Sequence, residues 1–440
     1  MIFDRCLEQL PDLEPARIQG RVRQAIGLVV EAEGLALPVG AMCQIRTVGA
    51  APVACEVVGF RDEVALLMPL GELQGVRRGD PVRCLATVQR VPVGQGLLGR
   101  VIDSQGNALD GGPPVARERL NPLYAKAPHP MGRERILQPL GTGVRAIDAL
   151  HTCGKGQRVG LFAGSGVGKS TLLGMCARGT AAQVTVIGLV GERGREVREF
   201  IEKDLRGEGL RRSVVVVETS DRPALLRVKA PFTATAVAEY FRDEGMDVLL
   251  LMDSITRMAN AQREIGLSAG EPPATKGYPP SVFAMMPRLL ERAGRADRGS
   301  ITGIYTVLVD GDDVNEPIAD TARSILDGHM WLSRDLAVRN HYPALDVLGS
   351  ISRLMIDVTT PEHQEAAGRV KALLAAHRGA EDLINVGMYV KGSNPEVDQS
   401  VAAHPAIQKF LRQTILDHPS LEESRKALLD LVKGFGGGPK

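Results

Sequence analysis

Aromatic residues make up only 4% of the chain, with a single tryptophan. Proteins that hold single-stranded nucleic acid stack bases on exposed rings along a basic track. Residues 18–90 contain Phe60 but no tyrosine or tryptophan. The 53 Lys and Arg residues are offset by 52 Asp and Glu, a net charge of +1. No nucleic-acid partner is therefore expected. No stretch approaches the roughly 20 apolar residues that a membrane-spanning helix needs. The opening Met1-Ile2-Phe3-Asp4-Arg5 lacks a basic segment followed by an apolar run, so no secretory signal is expected. Cys6, Cys43, Cys55, Cys84, Cys153 and Cys176 form no C-x-x-C pair, which points to reduced, mostly buried thiols. The expectation is a cytoplasmic protein that meets a membrane only peripherally, through partners.

What is present suffices for a large core. The 440 residues are 44% hydrophobic and 24% charged, ordinary for a globular chain of two to four domains. Ile2, Phe3, Cys6, Leu7 and Leu10 recur at helical spacing and predict a short amphipathic helix, broken by Pro11 and Pro15. Short strands are predicted over 21–30, 41–46, 53–60, 64–68 and 82–88, punctuated by glycine, the pattern of a small barrel. Residues 92–143 are rich in glycine and proline and read as irregular. From about residue 155, apolar strands (158–163, 184–190, 213–218, 248–252, 304–309) alternate with helices such as 170–178 and 196–205. That alternation predicts a parallel sheet flanked by helices. Beyond residue 360 the chain reads as helical, with one stripe at Val370, Leu373, Leu374 and His377 and another at Ile407, Phe410, Leu411 and Ile415. Residues 434–440 should be disordered.

The clearest chemical signal is Ala163-Gly164-Ser165-Gly166-Val167-Gly168-Lys169-Ser170-Thr171. It follows a strand and opens an apolar helix, the setting a phosphate-binding loop requires. Glycines let the backbone curl so that N–H groups face a phosphate, and the helix N-terminus adds its positive end. Lys169 is expected to reach the outer phosphates of ATP, and the Ser170 hydroxyl to ligate Mg²⁺. The strict pattern begins with glycine, where this chain has Ala163.

Two carboxylates end apolar strands. Asp253 closes 248–252 and is the candidate second ligand for Mg²⁺. Glu192 follows 184–190, at the strand end where nucleotide chemistry is placed in such sheets, and is a candidate general base. From spacing alone, each is equally well a solvated acid or half of an ion pair.

Three segments carry a resemblance. Gly191-Glu192-Arg193-Gly194-Arg195-Glu196, the run Glu271-Pro272-Pro273-Ala274-Thr275-Lys276-Gly277-Tyr278-Pro279-Pro280-Ser281-Val282-Phe283, and Pro343-Ala344-Leu345-Asp346-Val347-Leu348-Gly349-Ser350-Ile351-Ser352 resemble the α/β-subunit family of rotary ATPases. Within that family the chain is most similar to the type III protein-export ATPases, from about Gly20 to about His418. Gly27-Leu28-Val29-Val30-Glu31-Ala32, Val57-Val58-Gly59-Phe60 and Leu67-Met68-Pro69-Leu70 look most like the flagellum-specific branch.

The resemblance implies an α/β fold with a central RecA-like P-loop ATPase domain (91–358), an N-terminal small β-barrel (18–90) and a C-terminal helical domain (359–440), preceded by the segment 1–17. It implies ATP hydrolysis with Mg²⁺ in a homo-oligomeric, hexameric ring. By this resemblance Glu192 is the catalytic glutamate, with Arg193 assisting. Tyr342 stacks on adenine, and Arg353 is the arginine finger given to a neighbouring subunit. The implied partners are export chaperone–cargo complexes, a membrane export gate and a stator-like regulator at residues 1–17. Other readings remain open here: an injectisome ATPase, a catalytic subunit of a proton-driven ATP synthase, an RNA-translocating ring and a nucleotide-gated scaffold.

Overall fold

The computed structural model describes residues 19–309, 313 and 316–435. The helix expected over 1–10 and residues 436–440 lie outside the described residues.

Six strands form a closed barrel: β1 (Gln19–Ile26), β2 (Val29–Glu33), β3 (Met42–Ile45), β4 (Val53–Arg61), β5 (Val64–Pro69) and β6 (Pro81–Ala86). Their order is β1-β2-β5-β4-β3-β6, and β6 returns to pair with β1. Closure leaves no edge exposed to other chains. Val30, Ile45, Val57, Leu67 and Val82 fill the interior. The single strand expected over 21–30 is instead a hairpin. Gly27 takes φ +58° at the turn, a conformation that costs glycine little. Apolar residues on both sides of it hide the turn in the sequence. Cys43 and Cys55 face each other across β3 and β4, and burial pushes both thiols up to about 12.

The second domain is built on a nine-stranded sheet. In chain order its neighbourhood comprises β7 (Arg90–Val93), β8 (Val101–Ile102), β9 (Arg119–Pro122), α1 (Arg145–Leu150), β10 (Arg158–Ala163), α2 (Lys169–Gly179), β11 (Val184–Glu192), α3 (Gly194–Glu199), β12 (Ser213–Thr219), α4 (Ala224–Asp243), β13 (Asp247–Asp253), α5 (Ile255–Ala269), β14 (Ser300–Leu308), β15 (Gly328–Leu332) and β16 (Ile351–Ser352). The sheet runs β16-β15-β10-β14-β13-β11-β12-β8, with Gly294–Arg295 paired on β14. All neighbours are parallel except β16 and Gly294–Arg295. Every residue of β11 is buried, as expected for a strand covered on both faces. Residues 92–143 are less irregular than expected, because β7 pairs with β9 and β8 joins the sheet edge. These strands are two to four residues long, too short for a periodic signal. The helix expected over 196–205 begins two residues earlier as α3 and passes into a π-helical turn, Phe200–Leu205.

A buried ion pair fastens the barrel to this domain. Lys229 Nζ on α4 lies 2.8 Å from Glu56 Oε2 on β4. At the other end, α6 (Pro361–Asn385), α7 (Pro395–Leu411) and α8 (Leu421–Lys433) form the helical domain. Val370, Leu373, Ile407, Phe410 and Leu411 are buried, as their stripes predict. Ile415 is not part of its stripe. α7 ends at Leu411, the chain turns extended at Arg412, and Ile415 is exposed. Arg145 of α1 donates to the Phe410 carbonyl at 3.0 Å, holding α7 against the central domain. Among the described residues, no helix is long and apolar enough to cross a membrane.

Candidate nucleotide-binding and catalytic site

The phosphate loop joins the end of β10 to the start of α2. Gly166 and Gly168 take φ +78° and +90°, where any side chain would be strained. Ala163 is tolerated because it belongs to β10, held in register with Leu308 and Leu332 on both sides. Val167 is buried and anchors the loop, while Ser165, Gly166 and Ser170 are exposed. Gly168 precedes α2 without any side-chain cap, so the first N–H groups of α2 are available to an anion. The Thr171 hydroxyl is bonded to Asp204.

Three parallel strands deliver the charged groups to one place. Lys169 Nζ, at the start of α2, lies 2.5 Å from Asp253 Oδ1 and 3.3 Å from Glu192 Oε1. Asp253 is buried at the end of β13 and also accepts from the Thr306 hydroxyl at 2.8 Å. Glu192, at the end of β11, is 6% exposed. Burial raises its carboxyl, and a hydrogen bond to Glu196 raises it further; with Lys169 opposing, it sits at about 7. Glu196 is correspondingly lowered by the bond to Glu192.

The arginine on Glu192 is Arg257, its Nη2 3.1 Å from Oε2. Arg257 also donates to the Gly191 carbonyl. Arg193 is not brought onto the carboxylate: its side chain is 77% exposed and reaches Glu196 at 3.6 Å. Sequence reasoning missed Arg257, Thr306 and Glu196. Arg257 is the third residue of α5, after the N-cap Ser254, and no sequence spacing ties it to Glu192.

Among the described residues, no group of three or more His, Cys, Asp or Glu is placed to hold a metal ion alone. Magnesium needs no such cage, since it keeps waters and takes phosphate oxygens with one or two protein ligands. The Ser170 hydroxyl and the Asp253 carboxylate fit that requirement.

Beside the loop is a cavity of about 360 Å³ walled by Gly168, Leu172, Met175, Leu332, Tyr342 and Pro343 and closed by 413–415 of the helical domain. A Cβ on Gly168 would stand 3.4 Å from the Tyr342 ring, so glycine lets ring and loop approach. The exposed Tyr342 and these aliphatic side chains suit a flat aromatic base.

Arg353 lies elsewhere. It follows β16, whose Ser352 pairs with Gly328 at the beginning of β15. The phosphate loop is level with Leu332 at the other end of β15. The four steps from Gly328 to Leu332 span about 13 Å at roughly 3.3 Å each, before any loop is added. Arg353 is exposed there, and its guanidinium donates to the Arg323 carbonyl at 3.5 Å.

A site of this construction has known counterparts. The family description "ATP synthase alpha/beta family, nucleotide-binding domain" matches residues 143–352, and that family's beta-barrel domain matches 22–86. Residues 359–430 match the "T3SS EscN ATPase C-terminal domain". The "Flagellum-specific ATP synthase" of Bacillus subtilis is 54% identical over 417 residues, covering 94% of this chain and 95% of that protein. The chain belongs to the ATP synthase alpha/beta family. Both branches of its export-related members are near. The "Type 3 secretion system ATPase" of Xanthomonas euvesicatoria is 50% identical over 425 residues, 96% of each chain. The assembled ATPase EscN from enteropathogenic E. coli, solved in complex with its central stalk EscO, superposes with a TM-score of 0.87. It is 45% identical, covering 94% of this chain and all of that one. The barrel, nucleotide domain and helical domain implied by the sequence resemblance are thus those of the family.

Proposed function

We propose that this chain hydrolyses ATP in a homo-oligomeric ring, six-membered by family analogy, and that the ring energises type III protein export, most closely of the flagellar kind. The observation that carries the reading is the split site. Lys169, Glu192 and Asp253 converge at the C-terminal end of the central strands, and Arg353 stands by the N-terminal end of β15.

In this reading, Gly164 to Thr171 cradle the phosphates and Tyr342 stacks on the base. Glu192 holds the attacking water and takes its proton, as its carboxyl near 7 permits. Lys169 stabilises charge on the transferring phosphoryl group. Arg257 holds Glu192, Arg193 would have to swing from Glu196 to assist, and Arg353 of a neighbouring subunit supplies the remaining positive charge. Mg²⁺, held by Ser170 and Asp253, would neutralise phosphate charge. Residues 1–17 are assigned to a stator-like regulator, and hydrolysis to releasing cargo from chaperones at the export gate on the cytoplasmic face of a membrane.

The protonation of Glu192 gives a direct check. The base must be ionised, so kcat/KM should rise as pH increases through about 7 and level above it. Replacing Glu196 by Gln exchanges the charged acceptor that favours protonated Glu192 for a neutral one, so the acid limb should move to lower pH. A limb that stays in place, or moves upward, rules out this tuning.

For the cellular role, the chain's gene copy would be replaced by one encoding Glu192→Gln. Export of flagellar cargo should stop although the variant accumulates normally. Undiminished export would sink the cargo-release assignment. Intact flagella with loss of injected effectors would move the chain to the injectisome branch.

A further inference from the structure

Gln413 belongs to no motif, yet its side chain is 6% exposed and fully engaged. Its Oε1 accepts the Arg145 N–H at 2.8 Å. Its Nε2 donates to the Gly143 carbonyl at 2.7 Å and to the Asp417 carbonyl at 2.8 Å. Its backbone N–H donates to the Tyr342 carbonyl at 3.0 Å. Three distant pieces of chain therefore meet on one residue: the corner that opens α1, the turn that carries Tyr342, and the segment between α7 and α8.

That corner is rigidly seated. Gly143 packs so closely on Gly179, at the end of α2, that a Cβ would fall 2.5 Å from the Gly179 Cα. Since α2 begins with the phosphate loop, Gln413 relates the helical domain to both the loop helix and the base-stacking ring. Both amide hydrogens of Gln413 are already used, so none remains to read the edge of a base. The rest of the cavity is largely aliphatic.

We infer that Gln413 is a positioning residue for nucleotide binding: its side chain seats the 413–415 wall of the cavity on the Gly143 corner, and the segment so held keeps the Tyr342 turn in place through its backbone N–H, without recognising the base. The inference rests on the reading of that cavity as the base site. A purely architectural glutamine would affect folding but not nucleotide affinity. A base-reading glutamine would change the preference between ATP and GTP.

The experiment compares steady-state hydrolysis of ATP and GTP by the wild-type ring, Gln413→Ala, Gln413→Glu and Tyr342→Ala, with thermal unfolding of each as a check on folding. Gln413→Glu retains the acceptor for Arg145 and loses both donors, so it carries the test should Gln413→Ala not fold. For either Gln413 variant, KM should rise about tenfold for both nucleotides, since several hydrogen bonds are lost. The kcat should stay within about twofold, and the ATP-to-GTP ratio of kcat/KM should match wild type. Unchanged KM in folded variants, a shifted ratio, or a loss confined to kcat would each overturn the inference. If Tyr342→Ala also leaves KM unchanged, the base-site reading itself fails. If Tyr342→Ala raises KM and the Gln413 variants do not, only the role of Gln413 falls.

Discussion

Glu192→Gln and Arg353→Ala, each nearly inactive alone, should regain ATP hydrolysis when the two variants are mixed. Removing a general base costs about 10²–10⁴ in rate, and removing an arginine finger about 10³–10⁵. Neither variant alone can form a complete site if Glu192 and Arg353 act across a subunit boundary. In a mixed ring, an Arg353→Ala subunit still brings an intact Glu192, and a Glu192→Gln neighbour still brings an intact Arg353. Random assembly from equal amounts makes about one head-to-tail interface in four complete. Recovered activity would be a sizeable fraction of wild type if interfaces fire independently, and less if they are coupled. The geometry argues for this outcome, because β15 separates Arg353 from the loop of its own chain. No recovery, once subunit exchange has been verified by a tag on one variant, would exclude Arg353 as the trans-acting residue.

The second large effect concerns stability. Arg292→Ala should destabilise the central domain by about 3–5 kcal/mol, the cost of leaving a buried charge unpaired. Arg292 is 0% exposed. Its Nε and Nη2 grip Glu239 on α4 at 2.8 and 2.6 Å, and its Nη1 donates to the Leu123 carbonyl at 2.6 Å. The Phe232 ring lies 6.0 Å from the guanidinium. With the arginine gone, the buried Glu239 carboxylate loses the guanidinium that grips both its oxygens. The double change Arg292→Met with Glu239→Leu removes both charges and should be less damaging than Arg292→Ala alone. Urea titration followed by circular dichroism would check the order. A double variant no better than the single one would mean that the geometry of the pair, rather than the stranded charge, dominates.

The parts of the site that the sequence revealed are those fixed by local chain geometry. A glycine-rich turn between an apolar strand and a helix places Lys169 and Ser170 almost regardless of the rest of the fold. Glu192 and Asp253 end apolar strands, and parallel neighbours in register bring such ends together. Arg353 and Tyr342 came from family resemblance, and nothing in their spacing announced a role. What stayed hidden depends on contacts between remote segments. Gln413 bonds to Gly143 across 270 residues, and Arg257 meets Glu192 only because α5 folds back over β11. Helical periodicity likewise carried the α7 stripe on to Ile415, although the helix stops at Leu411. The hairpin at Gly27 was lost inside a run of apolar residues for a similar reason: pattern records which residues prefer burial, not where the chain reverses.

The two ends of β15 have a consequence for a cell that makes more of this chain than its assemblies hold. On the proposed reading, each copy bears a nucleotide cradle at one end of the strands and, at the other, a trigger for someone else's cradle. A solitary copy would hold fuel without burning it, and consumption would begin only where copies stand side by side. Specific activity should therefore climb with protein concentration and collapse on dilution. Surplus subunits would be a silent reserve, and the place of assembly would decide where energy is released.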